Sequence, residues 1–374
     1  MNRTRHVAII GGGIGGLATA FFLGAEDGVE VTLFEREPSH SAHSSGRSAE
    51  ILRTAIDDPV TEALALASAT LLRNPATVGL HAPGELVDER GLYILPSLAQ
   101  EAPWVQRHLK AGAAKETSLD ELRKLAPHFA PQAERVLHLS SGGRIFGERL
   151  LASLARGALR RGVRIVRSAG DAVPRLEGAR VVGVDSRGSH LPCSDLVVAA
   201  GAWSRGLGEA MGAPLPLRTT RRHMWVTPSD SEASPDAPIV WDDTAGFYVR
   251  PETNVHGHTG WAFSTTDLDE HPAERAAYTV SEDVRAKAMA AIRKHLPQVS
   301  PGRLRAWRGF RDLSPDDRPV IGADSRVEGL HWCAGLGGHG MTTSLAVGQA
   351  TADAVLNRES IFVERCAIDR LLRA

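Results

Sequence analysis

The feature that most constrains the fold is a glycine-rich turn, G-x-G-x-x-G, at residues 11–16. A short apolar segment at residues 6–10 predicts a β-strand before the turn, and residues 17–23 predict an apolar helix after it. Residues 31–34 predict a second strand, which ends at Glu35. Together these segments predict a β-strand, helix and parallel β-strand unit.

Each part of this pattern has a mechanical reason. Gly11 permits the tight turn, Gly13 lets the backbone approach a pyrophosphate, and Gly16 lets the helix pack closely on the strand. The helix N-terminus presents free N–H groups and partial positive charge to phosphate. Glu35 is placed to accept hydrogen bonds from ribose hydroxyls. The sequence therefore predicts a dinucleotide-binding site.

Residues 7–25 also have features of a targeting segment, since they carry no charge and follow Arg3 and Arg5. Their length approaches that of a membrane span. The stretch contains six glycines, each of which would weaken a continuous helix by about 1 kcal/mol. We therefore favour the strand–turn–helix interpretation and expect no integral membrane segment.

Length, charge and cysteine content narrow the class of protein. A chain of 374 residues predicts two domains. The formal net charge is −1, so the chain has no overall positive charge that would attract nucleic acid. Three widely separated cysteines, Cys193, Cys333 and Cys366, predict free thiols and a cytoplasmic location. No histidine or carboxylate spacing predicts a metal site.

The rest of the chain alternates predicted helices and strands. Helices are predicted at 59–73, 118–125, 150–161, 281–295 and 341–356. Strands are predicted at 91–95, 163–166, 181–186, 196–200, 219–227, 246–250 and 330–334. A second glycine-rich turn, at residues 335–340, repeats the strand–turn–helix pattern of the N-terminus.

Four ordered motifs extend the pattern. They are H-S-S-G-R-S-A at 43–49, D-L-V-V-A-A-G-A-W-S at 195–204, W-R-G-F-R at 307–311 with R-P-V-I-G at 318–322, and G-L-G-G-H-G-M-T-T-S at 335–344. With them, nearly the whole chain resembles the D-amino-acid oxidase superfamily of FAD-dependent oxidoreductases, which includes glycine oxidase and sarcosine oxidase. Within it, the chain is most similar to bacterial D-arginine (D-amino-acid) dehydrogenases.

The resemblance implies an α/β plus α+β architecture. A Rossmann-type FAD-binding domain (residues 1–78, 140–215 and 305–374) would carry an inserted substrate domain (79–139 and 216–304) built on a mixed or antiparallel sheet. The FAD would be noncovalent, because no matched cysteine or histidine is placed for a covalent link. The implied cofactor-binding residues are Gly11, Gly13, Ile14, Gly15, Gly16, Glu35, Arg36, Ser44, Ser45, Gly46, Arg47, Ser48, Ala49, Val173, Gly201, Trp203, Gly337, Gly338, His339, Gly340, Met341 and Thr342.

On the substrate side, the resemblance implies that two arginines clamp a carboxylate. The matching positions are Arg311 and Arg221, with Arg222 as the alternative to Arg221. Arginine suits this task because its planar fork pairs with a carboxylate through two hydrogen bonds. Tyr248 matches a tyrosine whose hydroxyl meets the same carboxylate. His339 replaces a tyrosine and could deprotonate a substrate ammonium or gate access to the flavin.

The chain departs from the dehydrogenases in the loop after Gly-Arg-Ser. Ile51 and Ile56 stand where the relatives carry a histidine and a tyrosine, and Arg53 and Glu50 replace small or neutral residues. These four residues and Thr342 are the further candidates for substrate contact. The changes make D-arginine itself doubtful as the substrate.

The expected reaction is FAD-dependent oxidation of an amino acid or related amine, by hydride transfer from the carbon bearing nitrogen to flavin N5. The resulting imine would hydrolyse to an oxo product. The alternative keeps the fold and oxidises a 2-hydroxy acid or a specialised biosynthetic amine. The sequence leaves open whether oxygen or another acceptor reoxidises the flavin.

Overall fold

The computed structural model describes residues 4–96, 103–131, 133, 135–228, 233–254, 256–267, 269–273, 280–299 and 304–372. The strands of this part of the chain are β1 (Arg5–Ile10), β2 (Val29–Phe34), β3 (Ile51–Leu52), β4 (Val87–Asp88), β5 (Leu92–Leu95), β6 (Lys115–Thr117), β7 (Val136–Leu139), β8 (Gly143–Ile145), β9 (Arg164–Val166), β10 (Val173–Glu177), β11 (Arg180–Ser186), β12 (Ser189–Pro192), β13 (Asp195–Val198), β14 (Arg218–Val226), β15 (Ile239–Asp242), β16 (Phe247–Thr253), β17 (Thr259–Ser264), β18 (Arg305–Leu313), β19 (Val320–Ala323) and β20 (Leu330–Ala334). Its helices are α1 (Ile14–Leu23), α2 (Pro59–Arg73), α3 (Pro103–Lys110), α4 (Leu119–Leu125), α5 (Gly147–Arg160), α6 (Ser204–Ala210), α7 (Glu282–His295), α8 (Ser344–Val355), α9 (Ile361–Cys366) and α10 (Asp369–Leu372).

A six-stranded sheet forms the first unit, in the order β19-β20-β13-β1-β2-β9. All neighbouring strands are parallel except β19, which is antiparallel to β20. Residues 7–25 contribute β1, the glycine turn and α1 to this unit, as the strand–turn–helix interpretation predicts. The pairing of β1 with β2 confirms the predicted β-strand, helix and β-strand unit.

Both faces of this sheet are buried, and the side chains of β1 show how. Val7 and Ile9 face a core shared with α1, α5 and α8. Ala8 and Ile10 face a second core, which contains residues of β11 in the three-stranded antiparallel sheet β10-β11-β12. A parallel sheet covered on both faces binds ligands beyond the carboxyl ends of its strands. The glycine turn lies at that edge.

An eight-stranded sheet forms the second unit, in the order β18-β14-β17-β16-β15-β5-β7-β6. The pairing of β15 with β5 is parallel and the other pairings are antiparallel, so the predicted mixed sheet is confirmed. One strand departs from the predicted division. Residues 305–374 were assigned wholly to the FAD-binding domain, but β18 pairs along its whole length with β14. The domain boundaries otherwise remain a prediction.

The predicted helices are present, but three begin three residues from their predicted starts: α1 and α5 begin before the predicted starts at 17 and 150, and α8 begins after the predicted start at 341. The helix predicted from residue 341 begins at Ser344, because residues 335–343 form a longer turn. That turn is closed by hydrogen bonds from the N–H of His339 to Leu336 O (2.8 Å) and from the N–H of Thr343 to His339 O (2.9 Å). In the part of the chain that the structure describes, no helix combines the length and apolar character needed to cross a membrane.

Candidate active site

A single cavity of about 530 Å³ passes between the two sheets. One end is lined by the N-terminal glycine turn, Glu35 and Val173. The other end is lined by Arg222, Tyr248 and His339, which come from β14, β16 and the C-terminal glycine turn. The predicted nucleotide and substrate regions therefore belong to one continuous site.

The N-terminal turn has the geometry that its glycines predict. Gly11 has a φ of +111°, and a Cβ there would lie 2.3 Å from Ala199 O. A Cβ on Gly16 would lie 1.9 Å from Gly11 O, so only glycine allows α1 to begin this close to the turn. The N-cap residue Gly13 makes no side-chain cap, and Ser45 Oγ accepts from the N–H of Ile14 alone in the first turn, which leaves the N–H groups of Gly15 and Gly16 for a phosphate.

Glu35 is buried at the end of β2, with 8% of its surface exposed. Its carboxylate accepts hydrogen bonds from the N–H groups of Gly12 (2.7 Å) and Glu37 (2.8 Å). Glu35 therefore holds the glycine turn to β2, a role that the sequence pattern does not reveal. The position predicted to meet a ribose also organises the turn beside it.

An aromatic and cationic cluster lies next to this end of the cavity. The Arg36 guanidinium lies 4.2 Å from the centroid of Trp203. The His43 ring lies 4.7 Å from the same indole, and the Phe310 ring lies 5.9 Å from it at a steep angle. Burial lowers the pKa of His43. Trp203 thus joins the 43–49 segment to β18 at the cavity wall.

The 43–49 segment contains a short 3₁₀ turn, Ser44–Arg47, which is fixed on two sides. The Ser44 hydroxyl donates to Phe310 O (2.8 Å), and Ser45 Oγ accepts from the N–H of Ile14 (3.0 Å). These contacts place the segment against both α1 and β18. The cavity lining includes Ser44, Ser45, Arg47, Ser48 and Ala49.

The C-terminal glycine turn supplies a second set of donors. The N–H groups of Gly338, Gly340, Met341 and Thr342 donate no hydrogen bond to another described residue. Met341 and Thr342 are nevertheless buried, and all four residues line the cavity. Buried N–H groups without a partner are costly, so a bound acceptor is expected here. A flavin pyrimidine ring, with its carbonyl oxygens and its negative charge on reduction, satisfies that requirement.

The substrate end contains Arg222, Arg311 and Tyr248. Arg222 on β14 lies opposite Gly309, and Arg311 on β18 lies opposite Thr220. The two arginines are thus diagonal neighbours on one face of the sheet. Burial, followed by the charge of Arg311, lowers the pKa of Arg222 to about 10, so it remains charged at neutral pH.

The structure corrects the choice between the neighbouring arginines. Arg221 does not line the cavity, whereas Arg222 does. Consecutive residues of a strand point to opposite faces of the sheet, so only one of the pair can face the site. The Arg222 side chain is further held by a hydrogen bond from Nε to Asp267 O (2.9 Å).

His339 lies beside these arginines. Burial, followed by the charges of Arg311, Arg53 and Arg222, lowers its pKa to about 3. This direction favours the neutral imidazole and argues against its predicted role as a base, which stays a prediction.

Of the four candidate residues in the 50–56 loop, two line the cavity and two do not. Ile51 and Arg53 line the cavity. Glu50 does not; its carboxylate pairs with Arg144 (2.6 Å), so it serves as a structural ion pair. Ile56 is buried outside the lining. Thr342 does line the cavity, and its hydroxyl donates to Ile51 O (3.2 Å).

The remaining cofactor candidates all line the cavity except Gly16 and Gly46. Gly16 acts through packing, as its contact with Gly11 shows. A Cβ on Gly46 would lie 2.2 Å from Ser41 O, so this residue shapes the 43–49 segment rather than touching a ligand.

Two residues of the substrate wall were missed from the sequence. Trp241 on β15 stacks on Tyr248 with ring centroids 4.5 Å apart. Met224 on β14 accepts a hydrogen bond from the Tyr248 hydroxyl at Sδ (3.2 Å). No local motif marks either residue; the only signal was the strand alternation that places Met224 two residues after Arg222.

The described residues contain no group of histidine, cysteine, aspartate or glutamate side chains arranged to hold a metal ion. The site is instead a long cavity with the N-terminal glycine turn at one end and the C-terminal glycine turn and the arginines at the other. The N-terminus of α1, the N–H groups of the C-terminal turn and the close glycine approaches all fit FAD.

Comparison with known proteins gives the same result. A family model described as FAD dependent oxidoreductase (DAO) matches residues 6–354. Glycine oxidase from Pseudomonas aeruginosa is 26% identical over 372 residues, covering 96% of each chain. D-amino-acid oxidase from Bradyrhizobium diazoefficiens is 26% identical over 280 residues, covering 74% of this chain and 65% of that protein.

The crystal structure of L-proline dehydrogenase from P. horikoshii superposes with a TM-score of 0.82 at 20% identity, covering 100% of this chain and 99% of that chain. This likeness shows a shared fold over the whole length. The chain therefore belongs to the DAO family of FAD-dependent oxidoreductases.

Proposed function

We propose that the protein oxidises an amino acid or a related amine at its carbon–nitrogen bond, giving an imine that hydrolyses to an oxo product. One observation carries this proposal. Arg222 and Arg311 face the cavity beside the Tyr248 hydroxyl, and neither guanidinium pairs with a carboxylate among the described residues. Arg222 is buried and Arg311 is half-buried, and the nearby charge of Asp267 offsets only part of their positive charge, so the site favours an anionic ligand. The relatives named glycine oxidase and D-amino-acid oxidase support an amino acid as that ligand.

Bound FAD supplies the hydride acceptor for this reaction. The FAD is proposed to be noncovalent, because Cys333, the one cysteine that lines the cavity, is a packed thiol. Burial raises its pKa to about 11, and its Sγ lies against Gly15 at the start of α1. A thiol so rarely ionised is a poor nucleophile.

The arginines orient the substrate through its carboxylate. Arg311 and Arg222 bind its oxygens, and the Tyr248 hydroxyl adds a donor from β16 if it turns away from Met224 Sδ, to which it donates in the structure. Fixing the carboxylate at this end directs the neighbouring carbon toward the C-terminal glycine turn, where the flavin edge is proposed to lie. Positioning of this kind can supply a large part of the rate acceleration.

The same charges set the protonation state of the amine. A substrate ammonium would lie near three guanidinium groups, from Arg53, Arg222 and Arg311. Like charges disfavour the charged form and lower the pKa of that ammonium. The site therefore selects the neutral amine, which can release a hydride, and requires no base from His339. Trp241, Met224 and Tyr248 exclude water from the reacting carbon.

The test is anaerobic reduction of the purified flavoprotein by a library of D-, L- and N-alkyl amino acids, with 2-hydroxy acids as a parallel set. We expect the flavin absorbance to be bleached by at least one amino acid and by none of the hydroxy acids. Bleaching by hydroxy acids alone would overturn the proposal in favour of alcohol oxidation. Reoxidation of the bleached enzyme with oxygen or with an electron-accepting dye then distinguishes an oxidase from a dehydrogenase.

We further propose a cytoplasmic location. All three cysteines are free and buried, which supports a reducing compartment. A small-molecule substrate and an electron acceptor are the proposed partners.

A further inference from the structure

Arg53 is a charged residue of the cavity wall. It has no role in the proposed carboxylate clamp, which consists of Arg222 and Arg311. Its side chain is 14% exposed, and it lines the substrate end beside Trp241 and Tyr248. The guanidinium lies 4.6 Å from the centroid of Trp241, which stacks in turn on Tyr248. Arg53 therefore extends the aromatic wall of the substrate site.

The guanidinium is held firmly in one orientation. Nη1 and Nη2 donate to the two carboxylate oxygens of Asp243 (2.9 and 3.0 Å), and Nε donates to Ala55 O (3.0 Å). Neither Asp243 nor Ala55 lines the cavity. A guanidinium has five N–H donors, so the recorded hydrogen bonds leave two without an acceptor among the described residues. These two N–H groups belong to different nitrogens and point in different directions, and either one, fixed in place, can donate to an oxygen acceptor at low entropic cost.

The substrate end of the cavity carries more positive than negative charge. Arg222 and Arg311 face the same space, Asp243 pairs with Arg53, and the charge of Asp267 acts on Arg222. The carboxyl groups that line the cavity are engaged elsewhere: Glu35 holds the N-terminal turn, Asp171 pairs with Arg36 (3.9 Å), and Asp312 Oδ1 accepts from the Thr219 hydroxyl (3.2 Å). One substrate carboxylate would occupy Arg222 and Arg311. Arg53 then remains as the donor for a second carboxylate.

We propose that Arg53 determines specificity, and that the substrate is an amino acid or amine with a second carboxylate, which accepts hydrogen bonds from Arg53. This inference rests on the proposed function and names its substrate class. The aliphatic part of such a substrate packs on Trp241, while the carboxylate next to the amine binds Arg222 and Arg311. Substrates with a cationic side chain are disfavoured, because that side chain cannot accept a hydrogen bond from Arg53 and lies near the positive charges of Arg222 and Arg311.

The experiment measures anaerobic flavin reduction of the holoenzyme by matched pairs. Both enantiomers of glutamate, glutamine, aspartate, asparagine and lysine are compared by reduction rate divided by apparent dissociation constant. We expect each preferred acid to exceed its amide by about tenfold or more, the effect of a charge-assisted hydrogen bond. Lysine is expected to be weaker than glutamate by about a hundredfold or more.

Variants identify Arg53 as the source of this preference. Arg53→Met is expected to bring the acid-to-amide ratio close to one, whereas Asp243→Asn, which removes the counter-charge, is expected to increase it. Arg107→Met is the matched control. Arg107 holds the same loop by donating to Ile56 O (3.0 Å) but does not line the cavity, so its loss is expected to leave the ratio unchanged.

Three results would overturn the inference. The first is an amide or lysine reducing the flavin as well as the matched acid. The second is Arg53→Met slowing acid and amide equally while FAD content is normal, which would show a purely structural role. In both cases the proposed amino-acid oxidation would stand. The third is failure of every amino acid to bleach the flavin, which would overturn the proposed function as well.

Discussion

The guanidinium of Arg311 packs directly on the backbone of Gly338, so closely that a Cβ on Gly338 would lie 1.7 Å from Nη1. Gly338 also has a φ of +91°, a conformation that other residues rarely adopt. The C-terminal glycine turn and the substrate arginine of β18 are therefore in direct contact. A change in the turn must displace the arginine.

Gly338→Ala should impair substrate binding without removing any charge. Because the new methyl group displaces Arg311, we expect the efficiency of flavin reduction by the best substrate to fall about a hundredfold. Gly212→Ala is the control, since Gly212 also has a positive φ (+70°) but no atom within 4 Å of its Cβ position. Equal losses in the two variants would show that backbone strain, rather than displacement of Arg311, is responsible.

Glu35→Ala should weaken FAD retention. The substitution removes the acceptor for the Gly12 and Glu37 N–H groups and the proposed ribose partner. We expect the FAD dissociation constant to rise about tenfold or more, measured by fluorescence after dialysis. Glu30→Ala is the control on the same strand, because Glu30 is a surface residue with a 70% exposed side chain. Wild-type flavin content in the Glu35 variant would contradict the assignment.

His339 should not contribute to the pH dependence of catalysis near neutrality. Its pKa is lowered to about 3, so the imidazole keeps one protonation state above that value. We expect the pH profile of flavin reduction in His339→Asn to keep the wild-type midpoint, even if its height changes. Disappearance of an ionisation between about pH 6 and 7, where an unperturbed histidine titrates, would restore His339 as the base.

Asp312 should make stability depend on pH. Burial raises its pKa from 3.8 to about 7, so the folded protein retains a proton that the unfolded chain releases. Its contribution to stability is therefore full below 3.8 and is lost as the pH rises through about 7. Between about pH 5 and 8, the free energy of unfolding of wild type should fall by about 1–3 kcal/mol relative to that of Asp312→Asn.

Thermal unfolding of the holoenzyme at several pH values measures this difference. Asp120→Asn is the control, because the Asp120 side chain is 81% exposed. If the stabilities of wild type and Asp312→Asn change in parallel with pH, the buried carboxyl of Asp312 has an ordinary pKa. That result would contradict this prediction.

The sequence predicts the nucleotide end of the site well, because its signals are local. The turn that Gly11 begins, the helix after it and the acid that ends β2 are all close in the chain. Positions that require glycine, and the order of strand and helix, can be recognised from residues that are close in the sequence. The second role of Glu35, as acceptor for the N–H of Gly12, could not be predicted from the sequence. Hydrogen-bond partners across a turn depend on the backbone conformation of that turn.

The substrate end depends on register, which neighbouring residues do not specify. Arg221 and Arg222 have the same chemistry, and only the pairing of β14 with β18 decides which one faces the cavity. Trp241 reaches the site because β15 pairs with β5 and β16, which come from distant parts of the chain. The start of α8 differs from the predicted start for a local reason: backbone hydrogen bonds close the turn before it.

The carboxylate clamp is the central claim, and Arg311→Met tests it most directly. The measurement compares anaerobic flavin reduction of wild type and variant by the best amino acid and by the same amine lacking its carboxylate. The account predicts a yellow, folded variant in which reduction by the acid falls ~30-fold to several thousand-fold, while the uncharged amine is affected far less. Arg311→Lys should restore only part of the loss, since a point charge cannot reproduce the planar fork. Reduction of Arg311→Met by the acid at the wild-type rate would contradict the account and place the clamp elsewhere.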